Sequence, residues 1–112
     1  MKLISAMLFL GIFSVASIAQ NSSPRLATVT PDTGKPAAEY STVGENLAKT
    51  AVKELYLTNG KDDIKVVILV QKNESISFKV PANTKPGRYS LMILTADGKQ
   101  FLEQPVKLTV EE

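Results

Sequence analysis

The sequence of 112 residues carries 13 basic and 11 acidic side chains, a net charge of +2 at pH 7, and contains no His and no Cys. So small a net charge creates no field that would favour nucleic acid, and the missing residue types exclude thiol chemistry, triads built on His or Cys, and the common zinc sites. We therefore expect one non-catalytic domain that needs no cofactor or metal and does not bind nucleic acid.

The first 19 residues form an apolar leader. It ends with the small residues Ser17 and Ala19 at the alternate positions that signal peptidase reads, so we predict a signal peptide over residues 1–19. The alternative is a retained membrane anchor, but a span needs about 20 predominantly apolar residues, and Ser5 and Ser14 also interrupt this stretch. We expect an exported protein, periplasmic or extracellular, with no stable membrane insertion.

The chain after the leader divides into a short polar segment, residues 20–25, and one domain, residues 26–112. Residues 26–30 predict a first strand that ends at a Pro-Asp-Thr-Gly turn, since Pro presets the turn dihedral and Gly accepts positive φ. Residues 39–47 predict a weaker strand. Gly44 interrupts it, which indicates a bulge or a close backbone approach.

A hairpin is predicted in the middle of the chain. Residues 52–58 form its first strand, and Asn59-Gly60 is the strongest short hairpin signal. Residues 64–71 follow at period two, with Ile64, Val66, Ile68 and Val70 on one face and Lys65, Val67, Leu69 and Gln71 on the other. The alternative is a short amphipathic helix within residues 45–57, which Thr50, Val52 and the Asn-Gly turn disfavour.

The last third of the chain alternates more clearly. Residues 75–80 place Ile76, Phe78 and Val80 inward, and residues 88–96 place Tyr89, Leu91 and Ile93 on one face. Residues 96–99 predict a hairpin turn before a final strand, residues 101–110. That strand tolerates Pro105 only at a bulge or an edge.

These patterns predict an all-β sandwich of about seven short antiparallel strands, because two sheets packed face to face bury one side of every strand. Phe78 and Tyr89 are expected to anchor its core from facing strands.

Four short motifs lie in order along the domain: Thr30-Pro31-Asp32-Thr33-Gly34, Gly44-Glu45-Asn46-Leu47, Val80-Pro81 and Pro86-Gly87-Arg88-Tyr89-Ser90-Leu91. Together they resemble those of IPT/TIG domains, which are immunoglobulin-like sandwiches of the E-set kind. The resemblance covers residues 24–110 and implies that fold. Such domains occur in receptors, in transcription factors and beside bacterial carbohydrate-active enzymes, so the resemblance does not select one role.

The carboxylates do not form a recognisable site. Asp62 and Asp63 are neighbours, so in a strand they point to opposite faces, and in a turn they are solvated. Calcium needs 6 to 8 converging oxygens, whereas these two residues, Asp32 and Asp97 are spread over three turns without ligand spacing. We predict no catalytic and no metal residues.

The predicted partner surface is the outer face of one sheet. If residues 52–58 pair with both residues 64–71 and residues 88–96, five apolar side chains share that face: Tyr56, Val67, Leu69, Met92 and Leu94. An exposed apolar patch of this kind is typical of a protein interface. The expected function is a protein-interaction or assembly module whose partner is another protein or a second copy of the chain.

The alternative function is a ligand-binding accessory domain, most plausibly for carbohydrate. Aromatic rings that could stack on a sugar are few outside the expected core: Tyr40, Tyr56 and Phe101.

Overall fold

A computed structural model describes residues 23–112, so the predicted signal peptide lies outside the described part of the chain. Within it the chain forms nine strands and no helix. In chain order they are β1 (Arg25–Thr30), β2 (Thr33–Gly34), β3 (Glu39–Glu45), β4 (Val52–Thr58), β5 (Asp63–Lys65), β6 (Val67–Gln71), β7 (Ser75–Lys79), β8 (Gly87–Thr95) and β9 (Phe101–Val110).

The strands form two sheets packed face to face. One sheet has the order β2-β9-β8-β4-β5 and the other β1-β3-β7-β6. The all-β sandwich predicted from the sequence is confirmed. It has two more strands than expected because the two-residue β2 pairs parallel with β9, and because the predicted strand over residues 64–71 is divided into β5 and β6.

The core lies between the sheets and contains both predicted anchors. Phe78 on β7 and Tyr89 on β8 come from opposite sheets, and both are buried. The Tyr89 hydroxyl donates to the Lys85 carbonyl at 2.7 Å, the tyrosine-corner arrangement of immunoglobulin-like sandwiches. The side chains buried with them include Leu47, Val52, Leu55, Leu57, Ile76, Val80, Leu91, Ile93 and Leu108.

Two predicted hairpin turns are present. The Asn59 side-chain oxygen accepts from the amides of Lys61 at 2.9 Å and Asp62 at 2.7 Å, and Gly60 has a φ of 87°. Asp97 shapes the second turn in the same way, accepting from the Lys99 amide at 3.0 Å. The alternative helix within residues 45–57 is wrong, since turns lead directly into β4.

Gly44 and Pro105 lie where the sequence indicated irregular backbone. A Cβ on Gly44 would collide with the Arg25 carbonyl oxygen, so β1 and β3 approach closely at that point. Pro105 lies in the register shift between Glu103 and Lys107 on β9. A bulge leaves one residue outside the hydrogen-bond ladder, which suits a residue without an N–H.

The predicted strand over residues 64–71 is wrong as a single strand, because the chain changes sheet at Val66. That residue is buried, and its amide donates to the Leu55 carbonyl at 3.0 Å. Before it, β5 pairs with β4. After it, β6 pairs with β7 in the other sheet.

A bulge also reverses the predicted faces within β6. The register shifts between Ile68 and Val70, so Val70 is opposite Ser77 and Gln71 is opposite the buried Ile76. Val70, which the sequence predicted to face inward, is about half exposed. A strict period of two does not reveal such an insertion.

Candidate functional site

The structure divides the predicted partner surface between the two sheets. Tyr56 on β4 and Met92 and Leu94 on β8 share the outward face of the five-stranded sheet. Val67 and Leu69 lie on β6, in the four-stranded sheet. The expected single surface is therefore two surfaces, because the chain changes sheet at Val66. Whether any of these residues binds a partner stays a prediction.

The first surface is an aromatic patch that consists of Tyr56, Met92, Leu94 and Phe101. Tyr56 is opposite Met92, and Phe101 is opposite Leu94. The strands that carry the two rings flank β8, and the ring centroids are 5.6 Å apart at an interplanar angle of 69°. Adjacent strands lie about 4.8 Å apart, so the two strands that flank β8 are separated by about twice that distance. The rings, whose centroids are closer than this, therefore lean toward each other across β8.

Exposure within the aromatic patch is very uneven. Met92 is 8% exposed and Leu94 is 7% exposed, although both are on the outward face. Phe101 is 56% exposed. The patch therefore presents one aromatic ring to solvent above a closely packed base, and edge-to-face contact with Tyr56 restricts that ring.

Hydrogen bonds restrict Tyr56 at one margin of the patch. Its hydroxyl donates to Glu54 Oε1, and Lys65 Nζ lies 3.0 Å from Glu54 Oε2. The bond to Glu54 raises the pKa of Tyr56 to about 12. The same bond, followed by that from Lys65, lowers the pKa of Glu54 below its usual value. At neutral pH the phenol is uncharged and the carboxylate is ionised. The Tyr56 ring is held by its hydrogen bond to Glu54 and by its contact with Phe101.

The second surface is an edge patch that consists of Val67, Leu69 and Val70 on β6. Each of these aliphatic side chains is about half exposed. In the described part of the chain, β6 pairs with β7 on one side and with no strand on the other. Gln71, one residue further, turns inward and donates to the carbonyls of Leu47 at 2.8 Å and Val52 at 3.0 Å.

Of the three aromatic side chains considered for a sugar, Tyr40 is placed in the core. It is 2% exposed, its ring stacks on Phe78 with centroids 5.7 Å apart, and its hydroxyl donates to the Lys35 carbonyl.

The sequence analysis did not include Phe101 in the predicted partner surface. A signal was present, because the turn over residues 96–99 makes Thr95 opposite Gln100 and therefore Leu94 opposite Phe101.

The carboxylates considered for metal binding stay apart. Asp62 and Asp63 follow the end of β4, whereas Asp97 lies in the β8–β9 turn beside the start of β4, at the opposite end of the sandwich. All three are exposed, as is Asp32 in the turn between β1 and β2. The described residues contain no group of three or more acidic, His or Cys side chains suited to a metal ion. Within the same residues, no helix has the length and hydropathy to cross a bilayer.

No protein-family model matches the sequence, and no curated protein matches it. Solved structures do match. A Bacteroides thetaiotaomicron protein of unknown function aligns with a TM-score of 0.68 at 15% identity, over 86% of this chain and 24% of its own.

Two further matches are proteins with a described role. SGBP-B of the mixed-linkage glucan utilization locus of Bacteroides ovatus, solved with a mixed-linkage heptasaccharide, has a TM-score of 0.54 at 18% identity over 74% of this chain and 20% of its own. An auxiliary nutrient binding protein of B. thetaiotaomicron has a TM-score of 0.55 at 24% identity over 81% and 21%. The chain spans about a quarter or less of the length of these proteins, and at such identities the likeness shows a shared fold.

Proposed function

We propose that this chain is a non-catalytic, exported accessory module that binds an oligosaccharide on the aromatic patch. The observation that carries the proposal is Phe101, an exposed ring held against Tyr56 on the outward face of the five-stranded sheet. The C–H face of a sugar stacks on such a ring, and its hydroxyls need hydrogen-bonding groups nearby. Glu54 and Lys65 supply a carboxylate and an ammonium at the margin of the patch.

The comparisons support a role in nutrient capture. The fold recurs in a protein solved with a heptasaccharide and in an auxiliary nutrient binding protein, both from Bacteroides. The leader over residues 1–19 fits export, as such a role requires. From the four sequence motifs we also propose that the domain is of the IPT/TIG kind.

Binding of neutral oligosaccharides tests this function. Titration calorimetry with mixed-linkage glucan oligosaccharides should show binding to the wild-type domain. We expect Phe101→Ala to weaken it about tenfold or more, since loss of an aromatic anchor costs more than about 1.4 kcal/mol. Val43→Ala, an exposed apolar side chain on the other sheet, should bind as the wild type does.

Two results would contradict the proposal. One is unchanged affinity in Phe101→Ala, which would place the ligand elsewhere. The other is no binding across neutral and acidic oligosaccharides, which would leave the aromatic patch without a carbohydrate role.

A second candidate is a protein-interaction module that uses the edge patch, with a second copy of the chain as the partner. The observation that favours it is that one side of β6, with three exposed aliphatic side chains, pairs with no strand among residues 23–112, since unpaired strands accept a further strand. We rank it second because the bulge at Leu69 interrupts the strand, and bulges limit edge pairing in natural sheets.

A further inference from the structure

Two cations lie on the outward face of the five-stranded sheet, beyond the aromatic patch. Arg88 on β8 is opposite Thr109, and Lys107 on β9 is opposite Ser90. The two cations are thus diagonal neighbours, a relation that places side chains about 7 to 8 Å apart. The ion pairs formed by the described residues are Arg25–Glu45 and Lys65–Glu54. Neither Arg88 nor Lys107 has a carboxylate partner among them.

The groove around these cations presents hydrogen-bond donors. Its volume is about 230 Å³, and the residues that line it include Thr58, Gly60, Arg88, Ser90, Glu103 and Lys107.

Two buried hydroxyls lie in this lining. Ser90 and Thr58 are each 5% exposed. Ser90 Oγ accepts from Lys107 Nζ at 2.7 Å, and Thr58 Oγ1 accepts from the Gly60 amide at 3.2 Å. A hydroxyl that accepts in this way can still donate its own proton. The guanidinium fork of Arg88 matches the paired oxygens of a carboxylate or a sulfate.

One carboxylate opposes this positive charge. Glu103 lines the same groove and is opposite Met92, so it lies between the cations and the aromatic patch. Two cations and one carboxylate leave the groove with one net positive charge. An anionic group is therefore favoured at the far end of the groove, beside Arg88, while Glu103 can accept from a sugar hydroxyl.

The spacing requires a ligand longer than one sugar. Arg88 and Leu94, the residue opposite Phe101, are six residues apart on β8, about 20 Å at about 3.4 Å per residue. We propose that the ligand is an anionic oligosaccharide, with one sugar on Phe101 and a carboxylate or sulfate of a later sugar bound by Arg88 and Lys107. This inference rests on the proposed function, because it extends the same ligand along the same face.

The test compares acidic and neutral ligands on the full chain by titration calorimetry. The probes are an oligogalacturonate, a chondroitin sulfate oligosaccharide and a neutral mixed-linkage glucan oligosaccharide. We expect at least one acidic probe to bind about tenfold or more tightly than the neutral one, and added NaCl to reduce that difference by screening. The double variant Arg88→Ala with Lys107→Ala should lose the difference and keep neutral binding.

Further variants sharpen the test. Lys79→Ala removes an exposed cation from the other sheet and should change nothing. Glu103→Gln should strengthen acidic binding, since it removes a like charge. Phe101→Ala should weaken acidic and neutral ligands alike.

Three outcomes would overturn the inference. Equal affinity for acidic and neutral probes would do so, as would an acidic preference that survives in the double variant. Neutral binding that depends on Phe101 would still support the proposed function in both cases. Free galacturonate or sulfate ions binding as tightly as the oligosaccharides would show an anion site unrelated to a glycan.

Discussion

At the scale of single residues, two phenylalanines of the same size have opposite surroundings. Phe78 is fully buried and stacks on Tyr40, whereas Phe101 is exposed and contacts Tyr56 edge to face. Burial of apolar area, not residue type, sets how much each contributes to folding. Phe78 therefore serves stability, and Phe101 is left available for a ligand.

Truncating each ring should separate these roles. We expect Phe78→Ala to lower the free energy of unfolding by about 3 to 5 kcal/mol, a large share of the roughly 5 to 15 kcal/mol typical of a domain. Phe101→Ala should lower it by less, about 0.5 to 1.5 kcal/mol, the value of one aromatic pair. Urea denaturation measures both. A loss below about 1 kcal/mol for Phe78→Ala would show that β7 does not face the core as described.

At the scale of elements, the bulge in β6 has two consequences. It turns Val70 outward, and it turns Gln71 inward to donate to the carbonyls of Leu47 and Val52. These two carbonyls belong to the segment that leads into β4. One side-chain amide thus connects the edge of the four-stranded sheet to the start of a central strand in the other sheet.

Replacing that amide should cost stability. Gln71→Leu keeps a similar size but leaves the two carbonyls without this donor, and a buried polar group left unsatisfied costs about 1 to 3 kcal/mol. For a domain of this length that corresponds to a fall in Tm of several degrees, at about 4 to 8 °C per kcal/mol. The matched control is Lys72→Leu at the exposed neighbouring position. If Gln71→Leu melted at or above the wild-type temperature, the bulge would not hold the two sheets together in this way.

At the scale of the whole molecule, the two patches make different predictions about assembly. A ligand on the aromatic patch leaves the chain monomeric, whereas pairing through the edge patch makes a symmetric dimer. Antiparallel pairing of two β6 strands centred on Leu69 would set Val67 opposite Gln71 and Ile68 opposite Val70, and none of these side chains is charged. No like charges would be opposed, so the edge is compatible with a second copy.

Light scattering with variants of the edge patch tests this assembly. If the second candidate is correct, the wild-type chain dimerises and Val67→Glu is monomeric while folded, because a buried unpaired charge opposes pairing. Val43→Glu changes an exposed residue of the same sheet away from its edge and should dimerise normally. A wild-type chain that stays monomeric at high concentration would eliminate self-association. Leu94→Lys is unsuitable as a surface test, since Leu94 is 7% exposed.

The sequence by itself determined the features that depend on neighbouring residues. Alternation of apolar and polar side chains predicted the all-β class and placed Phe78 and Tyr89 in the core, and Asn59-Gly60 predicted a turn. Pro105 marked a bulge or an edge because it lacks an N–H, and it lies at a bulge. Each of these follows from the geometry of a few adjacent residues, which holds whatever the strand later pairs with.

The tertiary structure alone decided how the surfaces are assembled. Val66 separates two strands of different sheets, and the bulge at Leu69 reverses the faces of the residues that follow. Period two specifies which side chains share a face within one strand, but it specifies neither the partner strand nor an inserted residue. Val67 and Leu69 therefore lie in a different sheet from Tyr56, and the side chain that contacts Tyr56 is Phe101 instead. The reason is that strand pairing depends on the packing of the whole sandwich.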